Sequence, residues 1–489
     1  MTKAVDQPHV RHAEAGSAAD RLEAHTRLGA VPSSLKDRIK AALACSGQPA
    51  LIAAERRVPL AALATGAFLS AATDDLQGRK VLVRTRSPLA AALALASLDG
   101  VAARLILCPP DLDAGQLAQA ATTAQADTVV SDMEDDGRLG LAHHRILFEP
   151  SGESDTTARS TSTEWALFTS GTSGAPKMVV HTLAGLTGAI GAQPGRADAH
   201  APPVWATFYD IRRYGGLQML LRTLTGGASL LITDAHEPLA DFLGRLRVHG
   251  VTHLAGTPSH WRRALMSPAL AGVSPRYVRL SGEIADQAVL DSLRARFPEA
   301  AVGHAYASTE AGVGFEVTDG LAGFPAAFVE REDGPVRMRV VDGVLQLRSA
   351  RTALGYLGAD APPLGDAQGW VDTGDLVERR GERFHFLGRR SGVINVGGLK
   401  IAPEEVEAVI NACPGVRMSR VVGRTSPLLG ALVTAEVVLA SPSDDPAGAR
   451  SLILAHCRER LPPHKTPASI RFVDALAVGA AGKLERRVA

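Results

Sequence analysis

Only four cysteines occur in 489 residues, Cys45, Cys108, Cys413 and Cys457, widely scattered and never in a Cys-x-x-Cys spacing. That spacing excludes a disulfide framework and a cysteine-built zinc site, and it fits a reducing, cytoplasmic setting. The chain also lacks an excess of either charge: 52 Lys and Arg stand against 51 Asp and Glu, a net charge of +1. A nucleic-acid or polybasic membrane surface needs a clear basic surplus, so neither is expected. Long apolar runs are absent as well. The most apolar stretch, Ser87 to Leu98, stops at Asp99, well short of the roughly 20 residues that cross a bilayer as a helix. Residues 1–20 carry Lys3, Asp6, Arg11, Glu14 and Asp20 with no apolar core; they do not read as a signal peptide and are expected to form a flexible leader. No internal repeat is visible.

What is present is a large, mixed chain, 46% hydrophobic and 21% charged, long enough for sizeable cores and more than one domain. Its middle alternates strand-like and helix-like segments, as layered α/β folds do. Lys80 to Arg84, Pro88 to Leu98 and Ala103 to Cys108 read as strand, helix, strand, and Ser229 to Ile232 and Val251 to Gly256 as further strands, with a helix over Gln287 to Arg296. From Val336 to Leu347 short alternating strands flank Asp342-Gly343, a hairpin turn. A boundary falls near Arg389, after which Pro403-Glu404-Glu405 opens a helix with proline and acids in its first turn.

After the strand-like Trp165-Ala166-Leu167-Phe168 comes Thr169-Ser170-Gly171-Thr172-Ser173-Gly174-Ala175-Pro176-Lys177. Glycines free the backbone N–H groups to turn toward an anion, hydroxyls add donors and the lysine adds a point charge. It is not a Walker loop, because Ala175-Pro176 separates Gly174 from Lys177. The string resembles the phosphate-binding loop of the adenylate-forming superfamily of acyl- and aryl-CoA ligases, adenylation domains and luciferases. The resemblance continues in order through Tyr306-Ala307-Ser308-Thr309-Glu310, Gly369-Trp370-Val371-Asp372-Thr373-Gly374-Asp375, Gly388-Arg389, Gly397-Gly398-Leu399-Lys400 and Gly482-Lys483.

That resemblance implies an α/β fold: a large N-terminal AMP-binding domain of layered sheets with a small distorted β-barrel, residues 21–388, and a small mobile α+β lid, residues 389–489. It implies that the loop from Thr169 to Lys177 holds the outer phosphates of ATP, and that Glu310 holds Mg²⁺. Thr309 would reach the α-phosphate, Tyr306 would stack on adenine beside Ala307 and Ser308, and Ser281-Gly282-Glu283 would form the adenine turn. Asp375 would accept from the ribose hydroxyls with Arg389 near them. Lys483 would reach from the lid to catalyse adenylation, Ser391 would be the hinge, and Gly397-Gly398 would line the channel for coenzyme A. Four positions depart from the family pattern: Ala307 replaces a glycine, Ser281 another, Ala477 a proline, and Ser391 the usual Asp or Lys.

The acid pocket is expected to draw on Phe208, Tyr209, Asp210, Tyr214 and Gly215, which favours a compact aromatic or short-chain acid. Asp210 either holds a substrate ammonium or pairs with Arg212 or Arg213. Three functions stay open: a soluble acid-CoA ligase, an enzyme loading an acyl carrier protein, and a non-catalytic nucleotide-binding relative. A monomer or homodimer is expected.

Overall fold

The computed structural model describes residues 34–43, 47–154, 161–169, 177–190, 202–234, 236–426, 430–479 and 482–486; the expected leader lies outside them. Two largely parallel sheets form the body. In the first, Ala50–Ile52, Ser229–Ile232, Val204–Thr207, His253–Gly256, Tyr277–Ser281 and Ala301–Ser308 run parallel in that spatial order, with Arg57–Pro59 and Gly312–Val317 antiparallel at the edges. In the second, Glu164–Phe168, Arg104–Leu107, Lys80–Arg84, Thr128–Ser131 and Ala142–Arg145 run parallel, and Met178–Thr182 and Gly355–Tyr356 complete one side antiparallel.

Such strands are buried on both faces and so read as continuous apolar runs. Side chains alternate across the pleat, and Val81 and Val83 enter the core between the two sheets while Leu82 packs on the outer face beneath helix Ala114–Ala124. Helix Pro88–Leu98 fills that inter-sheet core with every residue but Ser97 buried. An all-apolar helix has no solvent face to offer. Its start is set by Pro88 in the first turn and by the Ser87 hydroxyl, which accepts from the Ala90 N–H. The strand read from Val251 begins at His253, because the Val251 N–H donates to the Leu246 carbonyl and finishes the preceding helix.

The expected small barrel takes the form of a five-stranded antiparallel sheet, ordered Phe324–Pro325, Arg383–Arg389, Val371–Arg380, Val344–Ser349, Val336–Val341. Asp342 and Gly343 turn its last hairpin with φ of 50° and 75°. Beyond Arg389 a small C-terminal domain combines helices Pro403–Asn411 and Pro446–Arg460 with the sheet Val416–Ser426, Gly430–Leu439, Ser469–Phe472. It has its own core, including Ile401, Val406, Ile410, Val437 and Ile453. Cys108, Cys413 and Cys457 are buried and free. Among the described residues no helix is long and apolar enough to cross a membrane.

Candidate active site

The parallel strands of the larger sheet end at one edge, where open α/β sheets favour ligand sites. Thr257 follows His253–Gly256, and Gly282 and Glu283 follow Tyr277–Ser281. Tyr306 and Ala307 close Ala301–Ser308, and Thr309 and Glu310 lie in the turn beyond. Asp375 and Arg389 come from the antiparallel sheet as direct register partners. Gly282, Glu283, Tyr306, Asp375, Arg389 and Lys483 line a cavity of about 900 Å³ between the body and the small domain.

Asp375 is held from two sides: the Tyr306 hydroxyl donates to Oδ2 at 2.5 Å and Arg389 Nε stands 2.9 Å from Oδ1. A carboxylate has about four acceptor positions, so both oxygens keep capacity for a diol. Burial pushes the Asp375 carboxyl up, and Arg389 and the Tyr306 bond pull it back. Burial and the Asp375 charge raise the Tyr306 phenol, which keeps it a donor. The Tyr306 ring lies nearly parallel to Phe315 and Phe386, 5.5 and 5.1 Å away. Tyr306 is thus held among aromatics while still lining the cavity, and its hydroxyl orients Asp375.

The Thr169 N–H donates to the Lys177 carbonyl at 2.8 Å, closing the base of the loop; Ser170, Gly171, Thr172, Ser173 and Gly174 lie outside the described residues. The Lys177 ammonium stands 5.4 Å from the Tyr356 ring centroid, and the Tyr356 hydroxyl bonds Glu310. His181 Nε2 lies 2.7 Å from the Thr309 carbonyl. Burial lowers His181 to about 4, so the neutral ring donates there. Tyr356 and His181 belong to no recognised motif and were missed from the sequence. Ser308 Oγ accepts from the Ala311 N–H at 2.9 Å and shapes the turn.

Lys483 is not a frayed terminal cation. Its side chain turns to the body, with Cε 3.4 Å from where a Cβ on Gly282 would stand. Burial and then Arg389 lower its pKa, while Glu283, Asp375 and Glu310 support its charge. The backbone on either side is fastened to the body: the Thr257 hydroxyl donates to the Gly482 carbonyl at 2.6 Å, and the Leu484 N–H donates to Glu283 Oε1 at 2.8 Å. Glu283 also accepts from the N–H and hydroxyl of Ser259, both at 2.9 Å, so its carboxylate holds the lysine segment. Arg262 Nη1 reaches the Arg417 carbonyl at 3.1 Å, a further contact across the closed domains. Ser391 lines the cavity from the short turn Arg390–Gly392. Gly397 and Gly398, with φ of 56° and 87°, form an exposed hairpin tip that does not line it.

On the acid side Asp210 takes the second of its two readings, the pair with arginine. Both Asp210 oxygens are taken by Arg212, with Nε at 2.8 Å from Oδ1 and Nη2 at 2.6 Å from Oδ2, and the Arg212 side chain is fully buried. Asp210 is the partner of an interior guanidinium, which already compensates its charge. Phe208 belongs to the core, stacked on His260 at 5.4 Å and edge-on to Phe242 and Trp261. Tyr209 points to the opposite sheet face and donates to the Ser281 carbonyl at 2.9 Å. Tyr214 opens helix Tyr214–Gly226 and tilts against His181 at 5.7 Å, and Gly215 lies beside the Tyr209 ring.

Comparison with known proteins agrees with this arrangement. Residues 58–357 match the AMP-binding enzyme family and residues 405–483 the AMP-binding enzyme C-terminal domain. The chain is 26% identical to a 2-succinylbenzoate–CoA ligase of Bacillus cereus over 84% of this chain and 88% of that one. It is 29% identical to a feruloyl-CoA synthase of Amycolatopsis over 65% and 67%. It is also 29% identical to an isonitrile lipopeptide synthase of Streptomyces coeruleorubidus, over 70% of this chain but only 25% of that protein. In fold it is similar to the anthranilate CoA ligase AuaEII in complex with anthranoyl-AMP, with a TM-score of 0.76 at 16% identity over 96% and 97% of the two chains. ATP-bound MatB from Rhodopseudomonas palustris gives 0.71 at 21% identity over 92% and 96%. The chain belongs to the AMP-binding, adenylate-forming enzyme family.

Proposed function

We propose that the chain is an acid-thiol ligase that activates a carboxylic acid with ATP and then passes the acyl group to coenzyme A. One observation carries this reading: a lysine of the small domain, Lys483, lines the same cavity as Asp375, Glu283 and Arg389. A carboxylate oxygen attacks the α-phosphorus of ATP in line with the departing pyrophosphate oxygen; one P–O bond forms as the other breaks. Lys483 bridges the two anionic reactants, where fixed cationic donors lower the barrier most. Asp375 accepts from the ribose hydroxyls. Thr309 donates to the α-phosphate, and the loop ending at Lys177 holds the outer phosphates.

Around Lys483 stand Glu283, Glu310 and Asp375 against Arg389, so the cavity is not cationic enough for a bare triphosphate. Among the described residues no cluster of three or more His, Cys, Asp or Glu could hold a metal alone. Both facts fit Mg²⁺ carried in on the nucleotide, which needs only one or two protein carboxylates; Glu310 would hold it, and the ion would neutralise phosphate charge. In the second step the thiol sulfur attacks the acyl carbon and AMP leaves. The lid, residues 389–489, turns about Ser391 to bring Gly397-Gly398 to the channel. With Asp210 bound to Arg212, the amine-bearing acid that favoured carrier loading loses its support. Tyr209, Tyr214 and the aromatic-acid relatives favour a compact aromatic acid.

The test is Lys483→Ala. Acid-dependent adenylation should fall by orders of magnitude while thiol attack on supplied acyl adenylate persists; retained adenylation refutes the role of Lys483.

A further inference from the structure

The segment carrying Lys483 is short, and the adenylation role proposed for it requires its ammonium to be held at one place. Among the described residues Thr257 is, with Glu283, one of two in the body that bond its backbone. It sits at the N-terminus of helix Pro258–Leu265, and its hydroxyl has two tasks: it accepts from the His260 N–H at 3.0 Å and donates to the Gly482 carbonyl at 2.6 Å. The Thr257 backbone is fixed in turn, because its N–H donates to His260 Nδ1 at 3.2 Å, and the same nitrogen stands 3.1 Å from the hydroxyl. His260 is half-buried and desolvation lowers its pKa to about 4, so at neutral pH Nδ1 keeps the lone pair that this bond needs. Its ring also closes over the lysine turn from the other side: a Cβ on Gly482 would stand 1.9 Å from His260 Cε1.

One residue on, Leu484 is fixed through Glu283. The peptide units flanking Lys483 are therefore clamped by one hydroxyl and one carboxylate, both from the body, and both bonds exist only while the small domain is closed. The Thr257 methyl Cγ2 lies 3.7 Å from where a Cβ on Gly282 would stand, beside the adenine turn, while its hydroxyl bonds the Gly482 carbonyl and the His260 N–H.

We infer that Thr257 is a positioning residue for adenylation: its hydroxyl locks the Gly482 carbonyl and so aims Lys483. The inference rests on the proposed role of Lys483. Removing the donor leaves a buried carbonyl unpaired, a loss worth about 5- to 100-fold in the closed, aimed population.

The test measures both half-reactions for the full-length Thr257→Val, Thr257→Ser and Lys483→Ala proteins. Thr257→Val should slow acid-dependent pyrophosphate exchange by about 5- to 100-fold while thioester formation from supplied acyl adenylate stays within about twofold of the parent. Thr257→Ser, which restores the donor, should recover exchange. A role confined to capping the helix would depress both half-reactions together. If Thr257→Val does not fold, Thr257→Asp carries the test: aspartate keeps the cap but offers only acceptors to the Gly482 carbonyl, and the same split is expected. Equal effects on both half-reactions, or none on exchange, overturn the inference. Retained exchange in Lys483→Ala instead overturns the reading of the lysine on which it rests.

Discussion

Gly482→Ala is the substitution for which the closed structure gives the sharpest expectation. Gly482 has φ of +70°, a left-handed conformation that costs a residue with a Cβ about 1–2 kcal/mol. The new methyl would also stand 1.9 Å from His260 Cε1 and 2.4 Å from Nε2. The imidazole cannot swing aside freely, because Phe208 stacks on it at 5.4 Å and Nδ1 holds Thr257. Overpacking of this kind adds about 1–3 kcal/mol. The closed lid is then disfavoured by about 2–5 kcal/mol, which slows adenylation roughly 30-fold to several thousand-fold. The open lid meets neither term, so thiol attack on supplied adenylate should be untouched. Pyrophosphate exchange measures the first quantity. His260→Ala removes the clash but not the backbone cost, so Gly482→Ala in that background should cost only the smaller part. Exchange within about threefold of the parent, or an identical loss in both backgrounds, would refute the closed geometry around the lysine.

Gly398→Leu should produce the opposite split, sparing adenylation and blocking thioester formation, as read by product analysis with coenzyme A; equal loss of both steps removes the channel assignment. Asp210→Ala leaves the buried Arg212 guanidinium unpaired, a loss of about 3–5 kcal/mol in stability; melting should drop markedly with the order of acid preference retained, and a changed preference would contradict the structural role. Glu404 packs against Gly388, where a Cβ would stand 2.1 Å from its Oε2, and that oxygen has no hydrogen-bond partner. Burial raises its carboxyl from 4.5 to about 7; Arg486 opposes the rise, and Glu407 and Asp375 add to it. Relative to a Glu404 released to the ordinary 4.5, the packed carboxyl takes up a proton between about 4.5 and 7 and bears the full cost above 7, at most about 3 kcal/mol. Closure-dependent adenylation should weaken across that window, and Glu404→Gln should flatten the decline. An unchanged slope in the variant contradicts it.

Much of the frame was legible because it rests on local rules. Pro88–Leu98 and Gln287–Arg296 appear with the bounds their periodicity and caps suggest, and Asp342-Gly343 turns where a hairpin needs positive φ. The motifs around Tyr306, Asp375 and Lys483 do meet at one cavity. What was hidden depends on distance along the chain. Thr257 and His260 reach the site from one helix start and Tyr356 and His181 from two strands, and none stands in a string that marks it. At Phe208 a signal was available: with Ala206 and Phe208 on one face and Trp205 and Tyr209 on the other, strand alternation sends the two adjacent aromatics to opposite sides. Asp210 was undecidable from residue type alone, because the preference for Arg212 follows from that guanidinium being sealed beneath the Thr85 and Arg86 carbonyls.

The central claim is ATP-dependent activation of an acid followed by transfer to coenzyme A. Its most direct test is acid-dependent exchange of pyrophosphate into ATP across benzoates, aminobenzoates, short fatty acids and amino acids, with product analysis after coenzyme A is added. Strong exchange with a compact aromatic acid, converted to its CoA thioester, is the predicted result. Exchange that never yields a CoA product would move the thiol to a carrier protein, and no exchange with any acid would contradict the account.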